Sequence, residues 1–240
     1  MELSVILPTY NERPNVTALV ERICNVLHDV DHEVLFVDDR SPDGTADAVR
    51  QIASRYPQVR LIERRPPAGL TVSILEGVTE ARGRYVSWLD ADLSHPPELL
   101  PLLLAPVREQ RAEIACASRY VAGGAADRSA GVRWASRVIT TLAQWLIDRR
   151  VLDYTPCFVL APRALILELG LRGNYGEYCI DLLTTAVRSG YRVCEVPYRN
   201  IEREHGTSKT APDLGSFVRR GWPYLTTIVA LSMGRRPRRG

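Results

Sequence analysis

The stretch Tyr85-Val-Ser-Trp-Leu-Asp90-Ala-Asp92-Leu-Ser-His-Pro-Pro97 runs apolar and then stops at two carboxylates set one residue apart. In a strand Asp90 and Asp92 point to the same face, because side chains alternate with period two. Where the chain leaves a sheet, the pair can turn onto one ion, or divide between an ion and a bound ligand. Hard cations such as Mg²⁺ and Mn²⁺ take oxygen donors, and Mg²⁺ usually keeps one or two protein carboxylates and fills its other positions with water and phosphate oxygens. The plainer use of the two acids is to cap the helix that Pro96 and Pro97 open. Two more polar clusters follow apolar runs in the same way: Pro8-Thr-Tyr-Asn-Glu12 and Asp38-Asp39-Arg-Ser-Pro-Asp43-Gly44-Thr45. Ser-Pro-Asp-Gly is a turn in its own right, so Asp38 and Asp43 have a structural use open to them as well as a ligand-binding one.

The elements that must position these clusters alternate. Apolar runs predict strands over Leu3–Leu7, Val34–Val37, Val59–Ile62, Tyr85–Leu89 and Ile114–Ala117. Helical spacing predicts helices over Val16–Val30, Gly44–Tyr56, Leu70–Ala81 and Leu99–Val107. Strands that are apolar throughout imply a mostly parallel sheet covered on both faces, an α/β fold of Rossmann-like character. In such a sheet ligands bind beyond the carboxyl ends of the strands, which is where all three clusters fall. No Gly-X-Gly-X-X-Gly follows the first strand and no Gly-Lys-Ser/Thr loop occurs, which disfavours a dinucleotide oxidoreductase and a phosphate-loop enzyme.

At 240 residues the chain can bury a core without disulfides or structural metals. Its five cysteines are odd in number, widely spaced and without a Cys-X-X-Cys pair, as in a reduced cytosolic protein. A net charge of +3 argues against a dedicated nucleic-acid binder. Arginines concentrate at the C-terminus, as Arg219-Arg220 and Arg235-Arg236-Pro237-Arg238-Arg239, around an uncharged run from Gly221 to Gly234. That run is too short to span a bilayer, which takes roughly 20 residues. It suits an amphipathic helix lying at an anionic membrane surface, or a last helix docked on the core and followed by a basic tail. The N-terminus enters a strand at once, leaving no room for a signal peptide.

These motifs in this order resemble the metal-dependent glycosyltransferases of the GT-A fold in the large inverting family 2, and more narrowly the dolichol-phosphate and polyprenol-phosphate mannose synthases. The resemblance runs from Val5 to about Lys209. It is carried by Pro8 to Glu12, Val37 to Thr45, Asp90 to Pro97, Ser118-Arg-Tyr-Val-Ala-Gly-Gly124, Glu195-Val-Pro197, Arg203 and Gly206-Thr-Ser-Lys209. It implies a catalytic domain over residues 1–210 and an amphipathic helix with a basic tail over 211–240. It also implies that Pro8, Tyr10 and Glu12 hold the nucleotide, Asp39 its base or ribose, and Asp90, Ala91 and Asp92 the sugar diphosphate with its Mg²⁺ or Mn²⁺. Ser94 stands where some relatives carry a third, weaker metal ligand; Asp43 and Gly69 complete the donor side. Arg119, Arg133, Arg203 and Lys209 form the acceptor side, with Asp181 nearby at a position typical of glutamate. The chain departs from the pattern at Ala68-Gly69-Leu70, which lacks a lysine, and at Thr155-Pro-Cys-Phe-Val159, where relatives carry Ser-Gly-Phe-Arg.

The activity implied is transfer of mannose from GDP-mannose to a polyprenyl phosphate, on the cytoplasmic face of a membrane that the protein meets peripherally or through a membrane-protein partner. A phosphate acceptor is already anionic near neutral pH and needs no general base, only cations to offset its repulsion from the donor. Two other readings stand beside this one. A family 2 enzyme using a UDP-sugar and a hydroxyl acceptor would need a base, for which Asp181, Glu177 and His205 are candidates. A nucleotide-sugar binding protein without turnover would retain the fold alone.

Overall fold

The structure, a computed structural model, describes residues 1–126, 130–155, 157–200 and 214–237. Its centre is a seven-stranded sheet, built first from the apolar runs at the start of the chain. β1 (Leu3–Thr9), β2 (His32–Asp38), β3 (Val59–Glu63) and β4 (Tyr85–Trp88) pair in parallel in the order β3-β2-β1-β4. β5 (Ile114–Ser118) and β8 (Val193–Pro197) form a second parallel pair, and β7 (Val159–Pro162) joins the halves by running antiparallel to both β4 and β5. A separate two-stranded pairing, β6 (Ala125–Ala126) with β9 (Arg199–Asn200), ties the segment after β5 to the segment after β8.

Because the strands alternate their side chains, each contributes to two cores. Leu3, Val5 and Leu7 meet α1 (Val16–Val26), α2 (Thr45–Ala53) and α4 (Leu100–Arg108) on one face. Ile6, Leu35, Val37, Val86 and Trp88 meet α3 (Leu70–Glu80), α6 (Arg163–Leu169) and α7 (Tyr178–Arg188) on the other. α5 (Ala130–Leu146) and α8 (Leu214–Ser232) lie against each other, with α8 also on α7. Gly176 makes that last contact possible, since a Cβ there would meet the Tyr224 hydroxyl at 2.0 Å.

The nine elements predicted through the first half are all present. α1 stops at Val26 rather than Val30, because Leu27 leaves the helical region (φ −106°, ψ 19°) and the Val30 amide closes a turn on the Leu27 carbonyl. The C-terminal helix begins at Leu214, well before the expected apolar run. It docks on the core, with Thr227, Ile228 and Leu231 buried, while Trp222, Leu225 and Val229 face out. Among the described residues no helix is long and apolar enough to cross a membrane. The expected boundary at 210/211 lies outside the described residues.

Candidate active site

The chain winds outward from β1 through β2 to β3, then returns to add β4 on the other side of β1. The order therefore reverses between β1 and β4, and at the carboxyl end of such a switch point the two outgoing loops part to leave a crevice. The loop Tyr10–Glu12 leaves β1 on one side of it and Asp90–Ser94 leaves β4 on the other, with Asp39–Asp43 beside them at the end of β2.

The first two loops are stitched together by polar side chains that secondary structure has left over. Asp38 is fully buried, and its two oxygens accept from the Thr9 and Ser41 hydroxyls (3.0 and 2.6 Å) and the Ser41 amide (2.8 Å). Ser41 in turn accepts from the Asn11 amide (2.9 Å), and Thr45 accepts from the Glu12 amide (3.0 Å). Asp43 accepts from the Thr45 amide and hydroxyl on one oxygen and from the Arg13 amide on the other (3.1 Å). Burial pushes the Asp43 carboxyl up, but these bonds outweigh it and hold the group below its ordinary range. Asp38 and Asp43 thus stand as braces that set the height of Pro8, Tyr10 and Glu12. Tyr10 is exposed, and Pro8 is half-buried at the end of β1.

Asp39 is held from three sides. Its Oδ1 accepts from Arg64 Nη1 (2.5 Å), and its Oδ2 from the Gly69 amide (2.9 Å) and the Ser73 hydroxyl (3.1 Å). Arg64 is buried, and its Nε donates to Glu76 at 2.8 Å. Sequence reading passed over Arg64, one of two adjacent arginines leaving an apolar strand. Its guanidinium stands beside Asp39 and Ser73, close to the Gly69 turn where Ala68 replaces the lysine of relatives.

The loop after β4 is set by its own backbone. Leu93 lies in the left-handed region (φ 63°), a conformation costing an ordinary side chain about 1–2 kcal/mol. Asn11 (φ 57°), Arg40 (φ 58°) and Cys157 (φ 57°) share it, so four of the five non-glycine residues with positive φ among the described residues flank the crevice. Such strain collects at binding and catalytic sites. The Asp90 amide donates to His95 Nδ1 (3.2 Å), and the His95 ring is buried and stacked on Phe158 (5.4 Å between centroids). His95 therefore anchors the acidic loop to the sheet. The residue stood inside the motif, but a lone histidine in a loop carries no periodic signal.

Ala91 and Asp92 are buried, and Asp92 Oδ1 accepts from the Ser94 amide at 3.0 Å. Ser94 is fully buried, with its hydroxyl oxygen lacking a hydrogen-bond partner. A buried hydroxyl left over beside two carboxylates is an oxygen-only donor set, which fits a hard divalent cation whose remaining positions go to water and phosphate. Among the described residues no cluster of three acidic, histidine or cysteine side chains exists that could bind such an ion by itself.

On the other flank, Arg119 leaves β5 and turns inward. Its guanidinium pairs with both oxygens of the fully buried Asp153 (both 2.8 Å) and donates to Ser136 of α5 (3.0 Å) and to Thr155 (2.5 Å). Burial works against this charge, yet the Asp153 carboxylate outweighs it and keeps the guanidinium protonated well above its ordinary range. The amides of Leu152 and Asp153 donate to Glu195 (2.7 and 2.9 Å), whose carboxyl burial nonetheless pushes up. Arg119 is thus the hub that joins β5, α5 and the 151–155 segment, which Glu195 ties to β8. Asp181 is fully buried beneath Arg236, which binds both its oxygens (3.0 and 2.6 Å). Glu177 is buried too, but only its Oε1 accepts, from the Asn174 amide (2.8 Å), and its Oε2 has no partner. Arg133 lies on α5 with its side chain outside the described residues, as are Arg203, His205 and Lys209 altogether.

Comparison with known proteins places this architecture. Residues 4–170 match the Glycosyl transferase family 2 model. A polyprenol monophosphomannose synthase of Mycolicibacterium smegmatis is 36% identical over 223 residues, covering 90% of this chain and 82% of that protein. A dolichol-phosphate mannosyltransferase of Pyrococcus furiosus is 44% identical over 124 residues, which are 52% of this chain and 35% of that longer relative. A glucosyl-3-phosphoglycerate synthase of Mycobacterium tuberculosis, solved with Mn²⁺, UDP and glucosyl-3-phosphoglycerate, matches with a TM-score of 0.73 at 20% identity, over 98% of this chain and 80% of that one. The same enzyme solved with Mg²⁺ and UDP matches at 19% identity with a TM-score of 0.73. At such identity the likeness speaks for the fold, a GT-A-like sheet with flanking helices. With a family model matched through the whole acidic crevice and a relative 36% identical over 90% of this chain, the chain belongs to glycosyl transferase family 2.

Proposed function

We propose that the protein transfers mannose from GDP-mannose to a polyprenyl phosphate, inverting the anomeric carbon, at a membrane surface. What carries the reading is the 36% identity to a polyprenol monophosphomannose synthase across 90% of the chain, which includes the acceptor flank as well as the acidic crevice. In this reading Pro8, Tyr10, Glu12 and Asp39 hold the nucleoside, and Gly69 closes on it. Asp90, Asp92 and Ser94 hold Mg²⁺ or Mn²⁺, which when bound offsets the charge of the departing nucleoside diphosphate. Arg133, Arg203 and Lys209 bring the acceptor phosphate into line with the anomeric carbon, and the Arg119 hub fixes α5, which carries Arg133. Since the phosphate is anionic before it arrives, positioning and electrostatics supply the acceleration.

Purified protein with Mn²⁺ or Mg²⁺, a panel of GDP- and UDP-sugars and a short polyprenyl phosphate, with products identified by mass, tests this directly. Polyprenyl-phosphate mannose together with GDP is the expected product; turnover confined to a UDP-sugar and a hydroxyl acceptor would overturn it. Asp92→Asn keeps the oxygen that accepts from the Ser94 amide, so its fold and melting temperature stay unchanged while turnover falls by about 10²-fold or more. Wild-type activity in that variant would remove the metal assignment.

A hydroxyl acceptor is the second reading, and one observation favours it. Glu177 keeps a buried carboxylate oxygen without a partner, as a base awaiting a proton would. Asp181 is the weaker candidate, since Arg236 already occupies both its oxygens.

A further inference from the structure

Two thiols stand behind the acidic crevice, and the proposed reaction uses neither. Cys179 lies in the first turn of α7, fully buried, and its amide donates to the Gly176 carbonyl (3.2 Å). Cys157 leads into β7, half-buried, and its Sγ donates to the same carbonyl (3.6 Å). Meeting at one carbonyl, the two thiols also hydrogen-bond to each other, and that bond together with burial pushes the Cys157 thiol well above its ordinary range. The remaining cysteines are placed differently. Cys24 packs on the other core and accepts from Gln58 Nε2 (3.1 Å). Cys194 of β8 lies opposite Ala115, so Cys116, one residue further along β5, points to the other face of the sheet.

Cys157 is held against its own preference. Its φ of 57° lies in the left-handed region, at a cost of about 1–2 kcal/mol for an ordinary side chain. Set against the Ser-Gly-Phe-Arg of relatives and aligned on Phe158, it stands in the place of glycine, which takes this conformation freely. A strained residue kept where glycine would serve points to a use for its side chain. Its neighbours give that use a direction. Phe158 follows it directly and stacks on the His95 ring (5.4 Å), whose Nδ1 accepts from the Asp90 amide (3.2 Å). Tyr178 precedes Cys179, donates to the Cys157 carbonyl (3.4 Å) and accepts from Trp88 Nε1 at the end of β4 (2.8 Å). Each cysteine is thus one residue away from a ring that holds the outgoing end of β4.

We infer that Cys157 and Cys179 form a reversible thiol–disulfide pair which, when oxidised by hydrogen peroxide, shifts the Asp90 loop and weakens its hold on a divalent cation. The Cys157 sulfur, its proton released to water, attacks one peroxide oxygen; the O–O bond breaks, and the departing hydroxide takes a proton and leaves as water. The Cys179 sulfur then displaces the hydroxyl of the sulfenic acid, forming the S–S bond and releasing a second water. Two thiols and one peroxide give one disulfide and two waters, with sulfur oxidised and the peroxide oxygens reduced. The thiolate is the reacting species, so the raised Cys157 thiol keeps the pair reduced until the oxidant is sustained. A disulfide draws the sulfur atoms to about 2.05 Å, well inside a hydrogen-bonded separation, and backbone must give way. Cys179 is fixed in a helix, whereas Cys157 sits in a strained irregular segment, so the shift falls on Cys157 and passes through Phe158 and His95 to Asp90. The effect on the cation rests on the proposed metal role of Asp90; the disulfide itself does not.

The test treats the full chain with hydrogen peroxide, maps the cross-link by peptide mass, and reads Mn²⁺ binding by electron paramagnetic resonance before and after. A link between Cys157 and Cys179 within one chain is expected, together with Mn²⁺ affinity about tenfold weaker, the usual cost of disturbing a group that orients a metal ligand. Dithiothreitol should restore both. Cys157→Gly accepts the left-handed backbone, so it should melt at or above the wild-type temperature, bind Mn²⁺ as the reduced wild type does and ignore peroxide; Cys179→Ala should ignore peroxide likewise. Oxidation that joins other cysteines or two chains would overturn the inference. So would a Cys157–Cys179 link that leaves Mn²⁺ affinity unchanged, or an equal loss of affinity in Cys157→Gly. Reduced protein that binds no Mn²⁺ at all would refute the metal role of Asp90, and with it the effect on the cation, while the cross-link seen by mass would keep the disulfide.

Discussion

At the scale of single residues, the candidate site is built from side chains whose hydrogen-bonding capacity is nearly spent within the protein. Asp39 is the informative case. A carboxylate offers about four acceptor sites, and Arg64, Gly69 and Ser73 fill three of them, leaving one on Oδ1. Arg64 keeps Asp39 aimed, and its Nε bond to Glu76 keeps the guanidinium itself from swinging away. If Asp39 holds the donor nucleoside, Arg64→Met should act on donor binding: a loss of one charge-assisted bond worth about 1.5 kcal/mol raises the donor KM by about tenfold. The turnover number should stay within about a factor of three, and Arg64→Lys should recover part of the loss because it restores the charge without the fork. Steady-state kinetics with varied donor separate the two constants. A fall in turnover at unchanged KM would place Arg64 elsewhere in the reaction.

At the scale of elements, the parallel half was legible because β1, β2 and β4 are apolar on both faces and leave no other place for their polar neighbours than the sheet edge. β7 was not legible. It is four residues long, and the two strands that give it partners, β4 and β5, are far from it in sequence and run against it. The acidic loops were found by composition, whereas Arg64, His95 and Asp153 act through contacts that only the packed sheet creates. The same packing buries one polar junction under the sheet. Glu33 of β2 accepts from the Ser4 hydroxyl (2.7 Å), the Arg82 amide (2.7 Å) and Arg60 Nη1 (2.6 Å), tying β1, β2, β3 and the turn before β4. Burial pushes this carboxyl up, but the three donors and the Arg60 charge outweigh it, so its folded pKa lies below the ordinary value. A depressed folded pKa stabilises the native state above the unfolded pKa, about 4.3, and that stability is lost as pH falls through the folded value. Glu33→Gln should therefore cost about 1–3 kcal/mol at pH 7, and the gap between variant and wild type should close in acid. Denaturant titrations at several pH values read the difference; a gap constant with pH would show that the junction acts by packing alone.

At the scale of the whole molecule, the C-terminal segment is both the outward edge and a structural part of the body. Tyr224 packs at Gly176, Ile228 and Leu231 lie in the core, and Arg188 donates to the Leu231 carbonyl at 2.7 Å. Beyond the helix, Arg236 binds Asp181 through both oxygens and also donates to the Leu169 carbonyl (2.9 Å), clasping the end of α6 to α7. Cutting the chain after Arg220 would therefore not release a membrane anchor from an otherwise intact enzyme. It would open the core and strand a buried carboxylate. The clasp itself is testable without truncation. Arg236→Ala leaves Asp181 charged, buried and unpaired, which costs about 3 kcal/mol when one partner of such a pair is removed, and at this chain length lowers the melting temperature by about 6 to 12 °C. Arg236→Met combined with Asp181→Leu removes both charges and should recover most of that loss. Thermal unfolding of the two variants reads the clasp directly. The first should melt early and the second near wild type. Equal melting of Arg236→Ala and wild type would mean that solvent reaches Asp181 as soon as the arginine is gone, and the carboxylate would then be open to substrate after all.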